Sequence, residues 1–348
     1  MNSNSSAPLI TNLTLANQIS PSEELKLTWS LTPVFFLCIS ILGLIFNAGA
    51  LFLFIKKRHS STPFDIYVIN LLGVNIICLF TQYPLSVISN LYPYGWHLGG
   101  PACTLYMYCL AILNAGIIHI HALISINRAW AIVHPISFRT AHTNRTTVMI
   151  CVIMWIYIHV AEGSYLLIDT LHYRLDVRSY GCRFNHNAHG AWANVADIVM
   201  FIVPLCGIVL SFPVVMASKA HRDRKRRTAP QRLSDRSTAA NQGHVIPTEG
   251  TDGCPRSQTR IVIGNDTRQR KASNKYLVFT AMTASVIVCS APDLIYYLLV
   301  GFVPKFWNHT FYQVAGLVYS CETVVDPILF VVALDKLRKT PVQQRPRP

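Results

Sequence analysis

The sequence predicts an all-α membrane protein, a bundle of seven transmembrane helices. Composition is the first reason. Of 348 residues, 51% are hydrophobic and only 13% are charged, too apolar a balance for a water-soluble domain of this length. The second reason is that seven apolar stretches reach the roughly 20 residues an α-helix needs to cross about 30 Å of hydrocarbon. The third is that lysine and arginine gather between alternate stretches.

Along the chain, residues 1–28 are polar and carry the sequons Asn4 and Asn12. They predict a glycosylated outer tail with no cleavable signal peptide. The first span covers 29–55 and inserts the chain itself. The second, 65–89, contains the run "IYVINLLGVNIICLF", and the third, 103–127, ends at Asn127 and Arg128. The fourth is 147–168, and the fifth, 191–217, contains "IVMFIVPLCGIVL". Residues from about 220 to 272 are rich in Gly, Pro, Ser and Arg without apolar periodicity, which predicts a disordered loop whose ends prolong the flanking helices. The sixth span is 276–300. Glu322 and Asp326 interrupt the seventh, 311–333, and a short amphipathic helix closes the bundle at 339, before a tail at 340–348.

Charge sets the orientation. With the N terminus outside, only Lys26, Arg174, Arg178, Arg183 and Lys305 of the 30 Lys and Arg fall on outer segments, as the positive-inside rule requires. The net charge of +14 is therefore a topology signal. Its scatter over several loops argues against nucleic-acid binding and is compatible with contact to anionic lipids. Asn308 is a third outer sequon, whereas Asn144 and Asn265 fall inside. Among the ten cysteines, only Cys103 and Cys182 lie on the oxidising side and outside the membrane core, so they predict one disulfide.

The chain resembles the class A (rhodopsin-like) G-protein-coupled receptors over about 29 to 339. The resemblance is carried by "FNAGAL" in the first span, "NLLGVN" in the second, Trp96 before Cys103, and "NRAWAIVHPISF" after the third. Trp155, Pro204, "CSAP" ending at Pro292, and "DPILF" ending at Phe330 complete the series. The resemblance implies a plasma-membrane receptor for an extracellular ligand, coupled to a heterotrimeric G protein. It also implies that Arg128, flanked by Asn127 and Ala129 and followed by Pro135, meets that G protein. Where the family has Asp-Arg-Tyr, an amide replaces the acid that holds the arginine at rest, so the lock should be loose.

Other family positions also differ. Asn75 and Asp326 exchange the family's usual aspartate and asparagine, which places them in one expected polar network with Asn47, Glu322 and Thr323. Two readings of Asp326 and Glu322 stay open: a polar cavity that holds a sodium ion or a proton, although Ile117 stands where the family often has a serine ligand, or two carboxyls hydrogen-bonded to Asn75, Asn47 and Thr323. Ser290 replaces the tryptophan two residues before Pro292, and Phe330 replaces a tyrosine. Pro204, Pro292 and Pro327 are expected hinges, because neighbouring helices satisfy the carbonyls that a proline frees. His119 and His121 read as core histidines bonded to neighbouring helices.

For the ligand, Leu110 stands where amine receptors carry an aspartate, and Ser320 stands where opsins carry the retinal lysine. Neither a conventionally bound amine nor retinal is expected. Leu110, Asn114, Asp197, Asp293, Tyr296, Tyr297 and Tyr319, with Asp169, are the candidate pocket residues, and their acids favour a small or peptidic ligand with positive charge. Ser273 follows the basic run "RQRK" and is the expected phosphorylation site. No catalytic constellation or cofactor motif is present in the sequence. The alternative to signalling is a receptor-fold scavenger or dimer partner, suggested by the altered switch positions.

Overall fold

A computed structural model describes residues 29–56, 62–92, 95–185, 191–240, 280–300, 302–306 and 308–338. The expected glycosylation sites Asn4 and Asn12, the phosphorylation site Ser273, and the amphipathic helix and tail after 338 lie outside these residues. Seven helices long and apolar enough to cross a membrane are present. They are α1 (Leu31–Lys56), α2 (Pro63–Leu91), α3 (Gly99–Val133) and α4 (Asn144–Tyr173). Next come α5 (Ala191–Asp197 and Val203–Ala240, joined by a π turn), α6 (Thr280–Val300) and α7 (His309–Arg338).

Local chemistry sets the ends. Thr62 caps α2 in a capping box: its hydroxyl accepts the Asp65 N–H at 3.4 Å, while its own N–H donates to Asp65 Oδ2 at 2.8 Å. Pro63 occupies the first turn, where its missing N–H costs nothing. The third helix runs on to Val133, six residues beyond the expected end at 127, so Arg128 lies within it. It stops at His134 because Pro135 follows and excludes α conformation from the residue before it. The fifth helix continues to Ala240, beyond the expected span end at 217. Alanine and arginine there are strong helix formers.

In α3, 72% of the apolar stretch is buried, against 33% in α1, α4, α5 and α6, which makes α3 the central strut. Leu37, Ile41 and Ile45 of α1 and Ile153, Ile156 and Val160 of α4 are exposed, a surface suited to lipid tails. Glycines allow the closest crossings. A Cβ on Gly116 would lie 2.4 Å from the Trp155 ring, so α3 and α4 meet with no room for a side chain. Among the described residues there is no strand.

Candidate functional site

A cavity of about 290 Å³ opens at the end of the bundle that carries the disulfide. Cys103 at the head of α3 is bonded to Cys182, Cα to Cα 5.5 Å, and the bond draws Phe184 over the cavity. Arg174 fastens the same loop: its Nε donates to Asp169 Oδ2 at 2.9 Å and its Nη1 to Thr104 Oγ1 at 3.0 Å. Asp169 is fully buried and also accepts the Asn185 N–H at 3.2 Å. It is therefore a loop anchor and does not line the cavity.

Three acids from three helices face the cavity: Glu162 of α4, Asp197 of α5 and Asp293 of α6, with no lysine or arginine in the lining among the described residues. The expected pocket residues Leu110, Asn114, Asp197, Asp293, Tyr297 and Tyr319 all line it. Tyr296 does not; its hydroxyl donates to the Asn308 carbonyl at 2.9 Å. Successive helical residues point about 100° apart, so Tyr296 and Tyr297 cannot share the inward face. Glu162 was not among the expected residues, though an acid inside an apolar span is a visible signal. It is 3% exposed, and its Oε1 has no hydrogen-bond partner among the described residues. Two π turns shape the wall, Cys109–Leu113 under Leu110 and Ile198–Ile202 beside Asp197.

Below the cavity lies the polar core. Asn47 Nδ2 donates to the Gly43 carbonyl at 2.8 Å and to the Thr323 carbonyl at 2.7 Å, tying α1 to α7. Asn75 Nδ2 donates to Asn47 Oδ1 at 3.3 Å. The expected contact between Asn75 and Asp326 is not among the hydrogen bonds of the described residues. Instead, His121 of α3 stands between the acids of α7, its Nε2 3.0 Å from both Glu322 Oε1 and Asp326 Oδ2. A protonated imidazole attracts two carboxylates more strongly than an amide attracts one, and it must give up that proton before a metal ion can take its place. Ser290, buried in α6, donates its hydroxyl to Glu322 Oε2. The family's sodium ion would need a shell of oxygens here. Asn75 offers one amide oxygen, Ile117 an alkyl wall, and both carboxylates turn to a nitrogen. The residues do not fit a sodium cage.

A sequence profile described as 7 transmembrane receptor (rhodopsin family) matches residues 46–330. The chain belongs to that family. Among curated relatives, it is 27% identical over 214 residues to the human uracil nucleotide/cysteinyl leukotriene receptor, covering 60% of this chain and 57% of that one. It is 25% identical over 179 residues to the melatonin receptor type 1A of Phodopus sungorus, covering 51% and 49%. Identity to the cysteinyl leukotriene receptor 1 of Cavia porcellus is 24% over 178 residues, 51% of each chain. The chain spans about half the length of these relatives.

At the opposite end of this rhodopsin-family receptor, Asn127 does not hold Arg128. Its Nδ2 donates to the Leu123 carbonyl of its own helix at 2.8 Å. The Arg128 guanidinium carbon lies 3.5 Å from the centroid of the Phe64 ring, a cation–π contact. Phe64 in turn meets Phe330 edge-on, centroids 6.5 Å apart, and Phe330 is 1% exposed. An aromatic relay thus joins α3, α2 and α7 where the family expectation was an ion pair. Ala129 is buried against Val215, and Pro135 is exposed at the start of a short helix, Pro135–Ala141. Pro204 and Pro327 are buried in α5 and α7, and Pro292 is exposed on α6.

Proposed function

We propose that this rhodopsin-family protein is a plasma-membrane receptor with its N terminus outside. It binds a small extracellular ligand bearing a cationic group and signals through a heterotrimeric G protein at the Arg128 end. The observation that carries the ligand class is the cavity with Glu162, Asp197 and Asp293 in its wall and no basic side chain opposite among the described residues. A desolvated carboxylate rewards a cation with a charge-assisted bond and repels an anion. A nucleotide, named for one relative, carries anionic phosphates and suits this wall poorly. Asn114, Tyr297 and Tyr319 supply neutral hydrogen bonds that orient the rest of the molecule.

The remaining assignments belong to the same reading. Glycans sit on Asn4, Asn12 and Asn308, the last of which is exposed. Phosphorylation of Ser273 regulates coupling through the loop between α5 and α6, whose basic residues also touch anionic lipids. Signalling is favoured over a silent scavenger because the relatives carry receptor names and Arg128 stands in the family position.

A G-protein dissociation assay in cells expressing the chain, run with panels of cationic, neutral and anionic compounds, tests this. A cationic agonist should lose about 10- to 100-fold in potency, roughly 1–3 kcal/mol, in Glu162→Gln, Asp197→Asn or Asp293→Asn. Activation by anionic compounds alone, with potency untouched in all three variants, would refute the proposal.

A further inference from the structure

The geometry points to a buried site for a divalent transition-metal ion, of the zinc class, formed by His121, Glu322 and Asp326. The Nε2 of His121 is 3.0 Å from each of Glu322 Oε1 and Asp326 Oδ2, and the three atoms lie within 4.8 Å of one another. A tetrahedral ion with ligands at about 2.0–2.1 Å sets them roughly 3.3 Å apart, near the two 3.0 Å edges that meet at Nε2, while the two carboxylate oxygens lie within 4.8 Å of each other. All three residues are at most 3% exposed. Apart from these two close approaches to His121 Nε2, none of the three facing atoms has a hydrogen-bond partner among the described residues. A single Nε2–H cannot point along two separate lines at once, so His121 cannot give both carboxylates a well-aligned hydrogen bond.

Charge balance selects the class of ion. Two carboxylates and a neutral imidazole around a divalent cation leave no net charge in the middle of a bundle, where an excess charge is expensive. A sodium ion in the same place leaves a net negative charge. Zinc takes both imidazole nitrogen and carboxylate oxygen as ligands, and where the protein supplies three it keeps a fourth position open. The Ser290 hydroxyl bonds to Glu322 Oε2 and so aims Oε1 into the triangle, the orienting role that outer groups play around metals. Entry is from the large cavity. Asn114 and Tyr319 line both it and a smaller void of about 10 Å³ that touches Glu322. A bound ion would fasten α3 to α7, and through Ser290 to α6.

The test uses the full-length receptor, purified in detergent, stripped with chelator and titrated with Co²⁺ and then Zn²⁺. The expected result is one Co²⁺ per receptor with the intense visible bands of tetrahedral coordination, no thiolate charge-transfer band, and displacement by Zn²⁺. Asp326→Asn and His121→Asn should abolish the bands, and Ser290→Ala should weaken affinity about 10- to 100-fold. His121→Cys keeps a ligand in place; it should restore binding and add the thiolate band, so a loss in His121→Asn is not mere misfolding. A wild-type receptor that shows no tetrahedral spectrum, because the triangle holds a proton instead, overturns the proposal. So does binding that survives in both Asp326→Asn and His121→Asn, which would place the ion at surface histidines or cysteines. Stabilisation by Na⁺ without Zn²⁺ binding also overturns it.

Discussion

At the level of single residues, the amide at position 127 is the most consequential departure from the family pattern. Asn127 bonds to Leu123, and Arg128 lies on the face of Phe64 with the Asp65 carboxylate of α2 near enough to act on its charge. A cation–π contact is worth about 0.5–2 kcal/mol, whereas a charge-assisted pair with an adjacent acid reaches about 1.5–3 kcal/mol. Asn127→Asp should therefore hold Arg128 at rest and lower basal G-protein turnover. Agonist-free nucleotide exchange in membranes measures this directly, and an unchanged basal rate in a coupling-competent receptor would mean that the relay through Phe64 sets the resting state. Asp197, Asp293, Glu322 and Asp326 were legible in the sequence because a carboxylate within an apolar run stands out by itself, and Glu162 carries the same signal although it was not among the expected residues. Their partners were not. Asn75 and Asp326 read as exchanged partners, yet Asp326 faces His121 on a helix some two hundred residues away in the chain. Which of several polar neighbours a buried acid selects depends on helix rotation and on the competing donor, and neither is written locally.

At the level of elements, the spans were legible to within a few residues for most helices, because lipid permits only continuous hydrogen-bonded helices and apolar length identifies them. The misplaced ends have local causes. The α3 helix passes through the charged Arg128 because a membrane limit is not a helix limit, and the first real breaker is Pro135. The crossing of α3 and α4 gives an element-scale prediction. Gly116 has the Trp155 ring 2.4 Å from where a Cβ would stand, and Trp155 Nε1 is held by Asn70 Oδ1 at 3.3 Å, so the ring cannot readily retreat. Gly116→Ala should cost about 1–3 kcal/mol by overpacking, read as a lower melting temperature in detergent. Adding Trp155→Leu should recover part of that loss. If the alanine variant melts with the wild type, α3 and α4 are not in close contact.

At the level of the whole molecule, one covalent bond and one ion pair organise the mouth of the bundle. Cys103 and Cys182 are 79 residues apart in sequence, and Arg174 joins Asp169 to Thr104 beside them. Closing a loop of that length stabilises by at most about 4.5 kcal/mol, less in a membrane where the chain is already confined. Reduction should therefore lower the melting temperature and weaken ligand binding together, because the loop that carries Phe184 loses its anchor. Ligand affinity that survives complete reduction of this bond would show that the roof takes no part in recognition. The sequence by itself determined that the chain crosses the membrane seven times, which two cysteines meet, and that acids lie where lipid should exclude them. Those facts rest on apolar length, on the sidedness of charge and on residue type, all of which are local or additive along the chain. Only the tertiary structure decided that Glu162 joins Asp197 and Asp293 in one cavity, that Tyr296 turns away, and that His121 gathers Glu322 and Asp326. Such convergence depends on how seven helices rotate about their axes as they pack, and membrane helices pack by close fit of small residues, which hydropathy does not encode.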